Sequence, residues 1–444
     1  MISEHSSNAK SKRRMLFALF SQLLLAAGLA LREPALIAVP FLPFIAYSLF
    51  YLLVNPLFLL WISQLSNMTN IPIAGLSLNT FFFLALGISF ILSKTLQKSD
   101  EFYVDLFDLL FVLLGFLLLI TLPRWNSIGF GFLGLAYMFL IPYTEVLILR
   151  EYVNEKNLDL SLNFFTFMSL LFNAEVAVAI VKTLMIGGFN LRNLHSLGIG
   201  WAYSNYIAAL ANLLIPLNLG IFIVSRKKSI KRISLLNIVM LLISVVFTIS
   251  RGGFITFLLG FLTFGSALAI SEGKIRYITG VFIAIAGLFA LIFKTLVGKL
   301  LLLRFALMAA MDASISNRYR MWAQAIDYIK RNPLIGRGPY QTKVFSGIDY
   351  TENPHNYYLK LGMDAGIIGI IIFLFILAFL LHRSISLIKS PDRKLKILGI
   401  SFLTTLVIAS FNATIEPTLS GFHYNPIFWF IMGLMLALTK KKNT

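Results

Sequence analysis

The chain has 444 residues, 58% of them hydrophobic and only 13% charged, with Phe alone occurring 41 times. A soluble domain of this size is excluded, and recurrent apolar runs of about 17–25 residues point to an all-α polytopic membrane protein, not to a barrel built from alternating segments of about ten. A net charge of +19 would suggest nucleic acid in a soluble protein; here it fits the Lys and Arg that collect in cytoplasmic loops, and the absence of cysteine removes disulfides, thiolate nucleophiles and Cys-based metal sites.

In chain order, apolar segments read at 15–31, 35–53, 56–70, 76–93, 106–122, 128–149, 162–187, 199–224, 233–249, 252–271, 277–297, 356–381, 397–413 and 425–439. Backbone groups in lipid must bond internally, so each segment is expected to be a helix. A short basic tail covers 1–14, and the run from Met15 to Leu31 is taken as an uncleaved first helix because further spans follow at once. Pro40, Pro43 and Pro56 leave 35–70 as one broken helix or two, so the expectation is roughly 12–14 spans in a single membrane domain, 1–444.

Basic clusters set the orientation. Lys10 to Arg14, Arg226 to Arg232, Arg383 to Lys396 and Lys440 to Lys442 all fall on one side, which the positive-inside rule makes the cytoplasm, together with both termini. Arg192, Arg251, Arg318, Arg320 and His355 then share the outer face. A large outer loop, 298–355, carries Lys299, Arg304, Arg318, Arg320, Lys330, Arg331, Arg337 and Lys343.

Four stretches are candidates for chemistry. Ser250-Arg251-Gly252-Gly253 sets an arginine between two apolar runs with almost no loop. It reads either as an arginine snorkelling to headgroups or as a fixed fork for an anion, which Arg grips bidentately. From Ser316, a plausible N-cap, an amphipathic helix places Trp322, Ala325, Ile326 and Ile329 on one face, and Pro333 stops it. Trp322 reads as an interface anchor or a sugar platform, and Arg318 sits at the helix end where its charge does not help the dipole. His355 and Asn356 open a membrane helix at the water boundary, where a neutral imidazole can take a proton from a hydroxyl. On that helix Lys360 and Asp364 can pair, and Gly366 and Gly369 permit close packing. Arg192 to Asn205 lines a sugar path or forms an ordinary interfacial loop. The Gly129-x-Gly131-x-x-Gly134 pattern lies inside an apolar run without a preceding strand and is discounted, and no acidic pair with metal-site spacing lies on the outer side.

These residues resemble the O-antigen ligase and O-antigen polymerase superfamily. The resemblance rests on Ser250–Gly253; on Arg318 with Trp322, Asn332-Pro333 and Gly336-x-Gly338; and on His355–Asn356 followed by Gly366 and Gly369, which fits H-[NSQ]-x9-G-x2-[GTY]. It covers roughly Phe247 to Leu374. Asp364 falls where that family has an acidic residue, commonly Glu.

The resemblance implies a helical, lipid-donor (GT-C-like) glycosyltransferase of the bacterial inner membrane with a periplasmic active site. The implied donor is a glycan on undecaprenyl diphosphate. The acceptor is lipid A-core for a ligase, or another lipid-linked glycan for an O-antigen or exopolysaccharide polymerase. The reaction is expected to be inverting and independent of metal or other cofactor, with membrane lipids and no nucleic acid as partners. Arg251, Arg318, Arg320 and Arg192 are then expected to bind the diphosphate, and His355 to act as base, supported by Asn356, Trp322 and Asp364. Activity is expected to fall below about pH 6, near the reference imidazole value. A secondary transporter, which concentrates its ionisable groups and broken helices near the midplane of two similar halves, is the rival of a different class; a flippase or scaffold is another.

Overall fold

The apolar runs form the helices that lipid demands. The structure, a computed structural model, describes residues 54–67, 72–73, 76–97, 104–154, 157–188, 202–276, 294–309, 313–341 and 354–440, with scattered positions in 190–199 and 279–290. Runs 15–31 and 35–53, Arg192 and His195 lie outside the described residues, as does most of 277–297. Among the described residues eight helical spans are long and apolar enough to cross a membrane, so the chain is an all-α polytopic membrane protein.

The helices run α1 Pro56–Asn67, α2 Leu78–Gln97, α3 Leu106–Ile120, α4 Ile128–Leu135, α5 Ile141–Tyr152, α6 Leu158–Gly187, α7 Ser204–Val224, α8 Lys228–Phe247, α9 Arg251–Glu272, α10 Leu296–Ala309, α11 Ala313–Arg331, α12 Tyr357–Ile388, α13 Arg393–Asn412 and α14 Tyr424–Leu438. Between α1 and α2, a two-residue pair of strands, Pro72–Ile73 and Leu76–Ser77, forms a small hairpin. The 56–93 region is therefore two helices. A five-residue π turn, Ala136–Leu140, joins α4 to α5 into one span.

The interior is built on α14 and α7. Every residue of α14 from Tyr424 to Leu436 is buried, and α7 is buried over most of its length. Helices α5 and α13 pack against them, and α12 packs on α3 and α13. Because lipid is as apolar as leucine, helix pairing there leans on close packing and polar contacts. Asparagines supply such a chain between α6, α7 and α8. Asn173 donates to the Asn237 side chain at 3.1 Å, Asn237 donates to Asn218 at 3.1 Å, and Asn218 donates to the Ser169 hydroxyl at 2.9 Å.

The helix ends define two poles. The starts of α7, α9 and α12 and the end of α13 meet at one. The start of α3 and the ends of α5 and α12 meet at the other, where Arg383 contacts Asp105 at 3.2 Å and Arg150 binds Asp108 at 2.8 Å.

The stretch 298–355 departs from expectation in two ways. It includes the apolar helix α10 ahead of α11, and α11 starts three residues before Ser316, which sits inside the helix and does not cap it. The buried stripe of α11 is Met321, Ala325 and Tyr328; Trp322 and Ile329 are half-buried, and Ile326 is exposed. The reason is the partner: Ala325 and Tyr328 close on Met363 of α12, which turns the helix away from the stripe that hydropathy alone selects.

Helix α12 is interrupted at Gly366, whose φ of 69° and ψ of −171° break the helical ladder. The loop after α11 fills the break. Arg337 N–H donates to the Met363 carbonyl and Gly338 N–H to that of Asp364, while Ile367 and Ile368 donate back to Pro333 and Leu334. Only a residue without a side chain fits: a Cβ on Gly366 would lie 2.2 Å from the Leu334 carbonyl oxygen, and one on Gly336 2.6 Å from that of Asp364. This clasp ties the helix carrying Arg318 to the helix preceded by His355.

Candidate active site at one membrane boundary

Each element delivers its side chain by an ordinary local device. Asn356 caps α12, accepting from Leu359 N–H at 3.0 Å, and so fixes where the helix starts. His355 precedes that cap with φ of 47°. Ser250 caps α9, accepting from Gly253 N–H at 3.2 Å, and Ile249 before it has φ of 43°. Positive φ at a non-glycine residue costs about 1–3 kcal/mol and tends to collect at functional sites. Two of the three such residues among those described flank these two caps.

The side chains converge on Glu416, just beyond α13. Arg318 Nη2 meets Glu416 Oε1 at 2.7 Å, and its Nη1 donates to the Ile415 carbonyl at 2.8 Å. His355 Nδ1 meets Glu416 Oε2 at 2.8 Å. Asn205, at the start of α7, donates to Glu416 Oε1 at 3.0 Å and accepts from Ser250 Oγ at 2.8 Å. One carboxylate thus joins an arginine, an imidazole and, through Asn205, the start of α9.

Beside it opens a cleft of about 310 Å³ lined by Arg318, Tyr319, Trp322, Asn356, Thr414 and Ile415. The His355 side chain is 41% exposed and Glu416 only 13%. Trp322 Nε1 donates to the Pro354 carbonyl at 2.8 Å, so Trp322 both walls the cleft and ties α11 to the residue before His355. Asn356 Nδ2 reaches the Thr414 carbonyl at 3.1 Å, closing the α12–α13 side.

The anticipated residues are distributed unevenly. Arg318, His355, Asn356 and Trp322 are brought together. Arg251 sits at the edge: its Nη1 donates to the Arg304 carbonyl of α10 at 3.2 Å, while the neighbouring Gly252 packs on Ile415. Arg320 is exposed and, two residues on from Arg318, projects from another side of α11 at about 100° per residue. Asp364 belongs to the clasp instead; it is fully buried and pairs with Lys360 at 2.6 Å, as the spacing predicts. Glu416 was not anticipated. Its sequence signal was slight: it is the sole glutamate after Glu352 and directly precedes Pro417.

A second histidine shows the contrast. His423 is buried, its Nδ1 lies 2.6 Å from the Asn67 carbonyl, and burial pushes its pKa down to about 4. It links α1 to α14. Among the described residues, no three His, Asp or Glu side chains gather as a metal site.

Chemically, the arrangement offers an anchored guanidinium and a half-exposed imidazole at the end of the spans. An arginine has five N–H donors, and the contacts above engage only part of the Arg318 fork.

Residues 236–374 match the family model described as O-antigen ligase. That stretch runs from α8 into α12, contains Arg251, Arg318, His355, Gly366 and Gly369, and is where the chain is similar to the O-antigen ligase family. Glu416 and Asn205 lie outside it. No curated protein matches the chain by sequence.

Proposed function

From the similarity of residues 236–374 to the O-antigen ligase family, we propose that this membrane protein transfers a glycan from undecaprenyl diphosphate to lipid A-core at the periplasmic face of the bacterial inner membrane. The observation that carries the proposal is that Arg318 and His355 meet at one carboxylate beside a cleft at the water boundary. The family match supports glycosyl transfer as the reaction class; the residues suggest a mechanism.

In that mechanism an acceptor hydroxyl oxygen attacks the anomeric carbon of the donor sugar. Its bond to that carbon forms as the bond from the carbon to the diphosphate oxygen breaks, with inversion. The hydroxyl proton passes to His355, and the diphosphate leaves with one more negative charge, taken up by Arg318 with Arg251 nearby. No metal or other cofactor takes part. Fixed cations aimed at a charge that grows in the transition state are worth far more in a part-buried site than in water. A positioned base adds about 10²–10⁴-fold.

The transporter alternative is weakened by the clasp. A broken membrane helix suits a midplane ligand site when its freed backbone groups face a cavity, but the loop after α11 binds the Met363 and Asp364 carbonyls and the Ile367 and Ile368 N–H groups.

The test incubates purified protein with an undecaprenyl-diphosphate-linked repeat and lipid A-core. Glycan on lipid A-core is the expected result, and His355→Ala at normal folded yield lowers it by about 10²–10⁴-fold. Longer lipid-linked chains instead would assign a polymerase. No new glycosidic bond, or full activity of His355→Ala, would overturn the proposal.

A further inference from the structure

We infer that Glu416 is a positioning residue for the transfer: it fixes the His355 tautomer so that Nε2 faces the acceptor, and it holds Arg318 at a set distance from that base. The inference rests on the function proposed above.

The argument starts from hydrogen-bond polarity. A carboxylate can only accept, and Glu416 Oε2 lies 2.8 Å from His355 Nδ1. The proton of the neutral ring must then reside on Nδ1, which leaves the lone pair on Nε2. A free imidazole has no such constraint. Backbone conformation adds to the case: His355 is held at φ of 47°, an uncommon conformation for histidine that nearby contacts must sustain. Trp322 on the Pro354 carbonyl and Glu416 on the ring supply such contacts from both sides.

The other oxygen of Glu416 is as fully engaged. Oε1 accepts from Arg318 at 2.7 Å and from Asn205 at 3.0 Å. Asn205 is tied in turn to Ser250, the cap of the helix that begins with Arg251. One side chain, 13% exposed, therefore sets the spacing between the group that takes the proton and the group that receives the leaving charge. When a hydroxyl loses its proton to Nε2, the ring becomes cationic, and the carboxylate on its far side stabilises that charge where it appears.

The inference separates from a merely structural role on two measurements. In wild-type protein labelled with 15N in its five histidines, assigned by difference from His355→Ala and recorded at pH 8, the His355 signal should show protonated Nδ1 and unprotonated Nε2. In Glu416→Gln, whose amide can meet Nδ1 with either its oxygen or its nitrogen, that tautomer should no longer be fixed. The same variant should lower kcat about 10–100-fold, as removal of a ligand's orienting partner does, with donor KM within about twofold. Glu416→Asp should recover part of kcat.

Wild-type His355 protonated on Nε2 would overturn the inference without any variant. So would Glu416→Gln at wild-type kcat, or kcat, KM and folded yield failing together with no recovery in Glu416→Asp. In each case an inactive His355→Ala would leave the proposed function standing; an active one would remove the function itself.

Discussion

Among the described residues, a cluster of arginine and carboxylate sits at each pole, and the two differ in what surrounds them. At the sealed pole Arg150 binds both oxygens of Asp108 at 2.8 and 2.9 Å, with Arg150 5% and Asp108 2% exposed. Asp105 adds Arg383 at 3.2 Å, and Tyr143 donates to Asp108 at 3.2 Å. Two arginines face two aspartates there. At the open pole a single carboxylate is shared by an arginine and an imidazole, a cleft adjoins it, and Arg318 is 22% exposed. The lesson is that an ion pair in a membrane protein does not announce its role by its chemistry. Sealed and balanced, it joins helices; shared with a titratable ring and set beside a cleft, it can meet a substrate.

Opposite outcomes should follow from breaking each cluster. Arg318→Ala should lower kcat about 10²–10³-fold, roughly 3–4 kcal/mol in the transition state, while folded yield and melting temperature hold. Asp108→Ala should do the reverse. It takes both short contacts from buried Arg150, which keeps Asp105 at 3.7 Å; the cost is up to about 3–5 kcal/mol in stability, and the molecules that still fold should turn over normally. Melting curves and turnover on the same preparations check both.

A smaller effect sharpens the comparison by moving the open site without touching it. Gly366→Ala keeps every charged group but puts a Cβ against the Leu334 carbonyl at a φ of 69°. A loss of about 1–3 kcal/mol in stability is expected, with activity reduced at normal substrate affinity because α11 and α12 shift relative to each other. Unchanged melting and kcat would mean that the clasp does not set the site. Smallest of all is Arg331→Ala, which removes an exposed pair with Asp327 at 2.6 Å. Such pairs are worth about 0.3–0.5 kcal/mol, so neither stability nor turnover should move measurably.

Much of this was legible in the sequence, and the reasons for the rest are physical. Among the described residues hydropathy placed the spans, since lipid leaves a backbone few alternatives, though α6 begins earlier than the apolar run at 162 and α7 later than the one at 199. Charge placement predicted that Arg318 and His355 would share a boundary, and they share a carboxylate. The spacing from His355 to Gly366 was visible as a pattern, but its cause was not. Gly366 is needed because a loop more than thirty residues earlier lays its backbone against that point. Glu416 was missed for the same kind of reason. Its partners His355 and Arg318 lie 61 and 98 residues away, and no local period carries such a contact. The rotation of α11 escaped because the packing of Ala325 and Tyr328 on Met363 decides it, which helical spacing does not encode.

The most direct test of the account is a structure of the full chain with bound undecaprenyl diphosphate. Phosphate oxygens within about 3 Å of the Arg318 guanidinium, with His355 Nε2 facing the adjoining cleft, are the predicted result. Diphosphate bound at the sealed pole beside Arg150 and Arg383, with the cleft at Arg318 unoccupied, would contradict it.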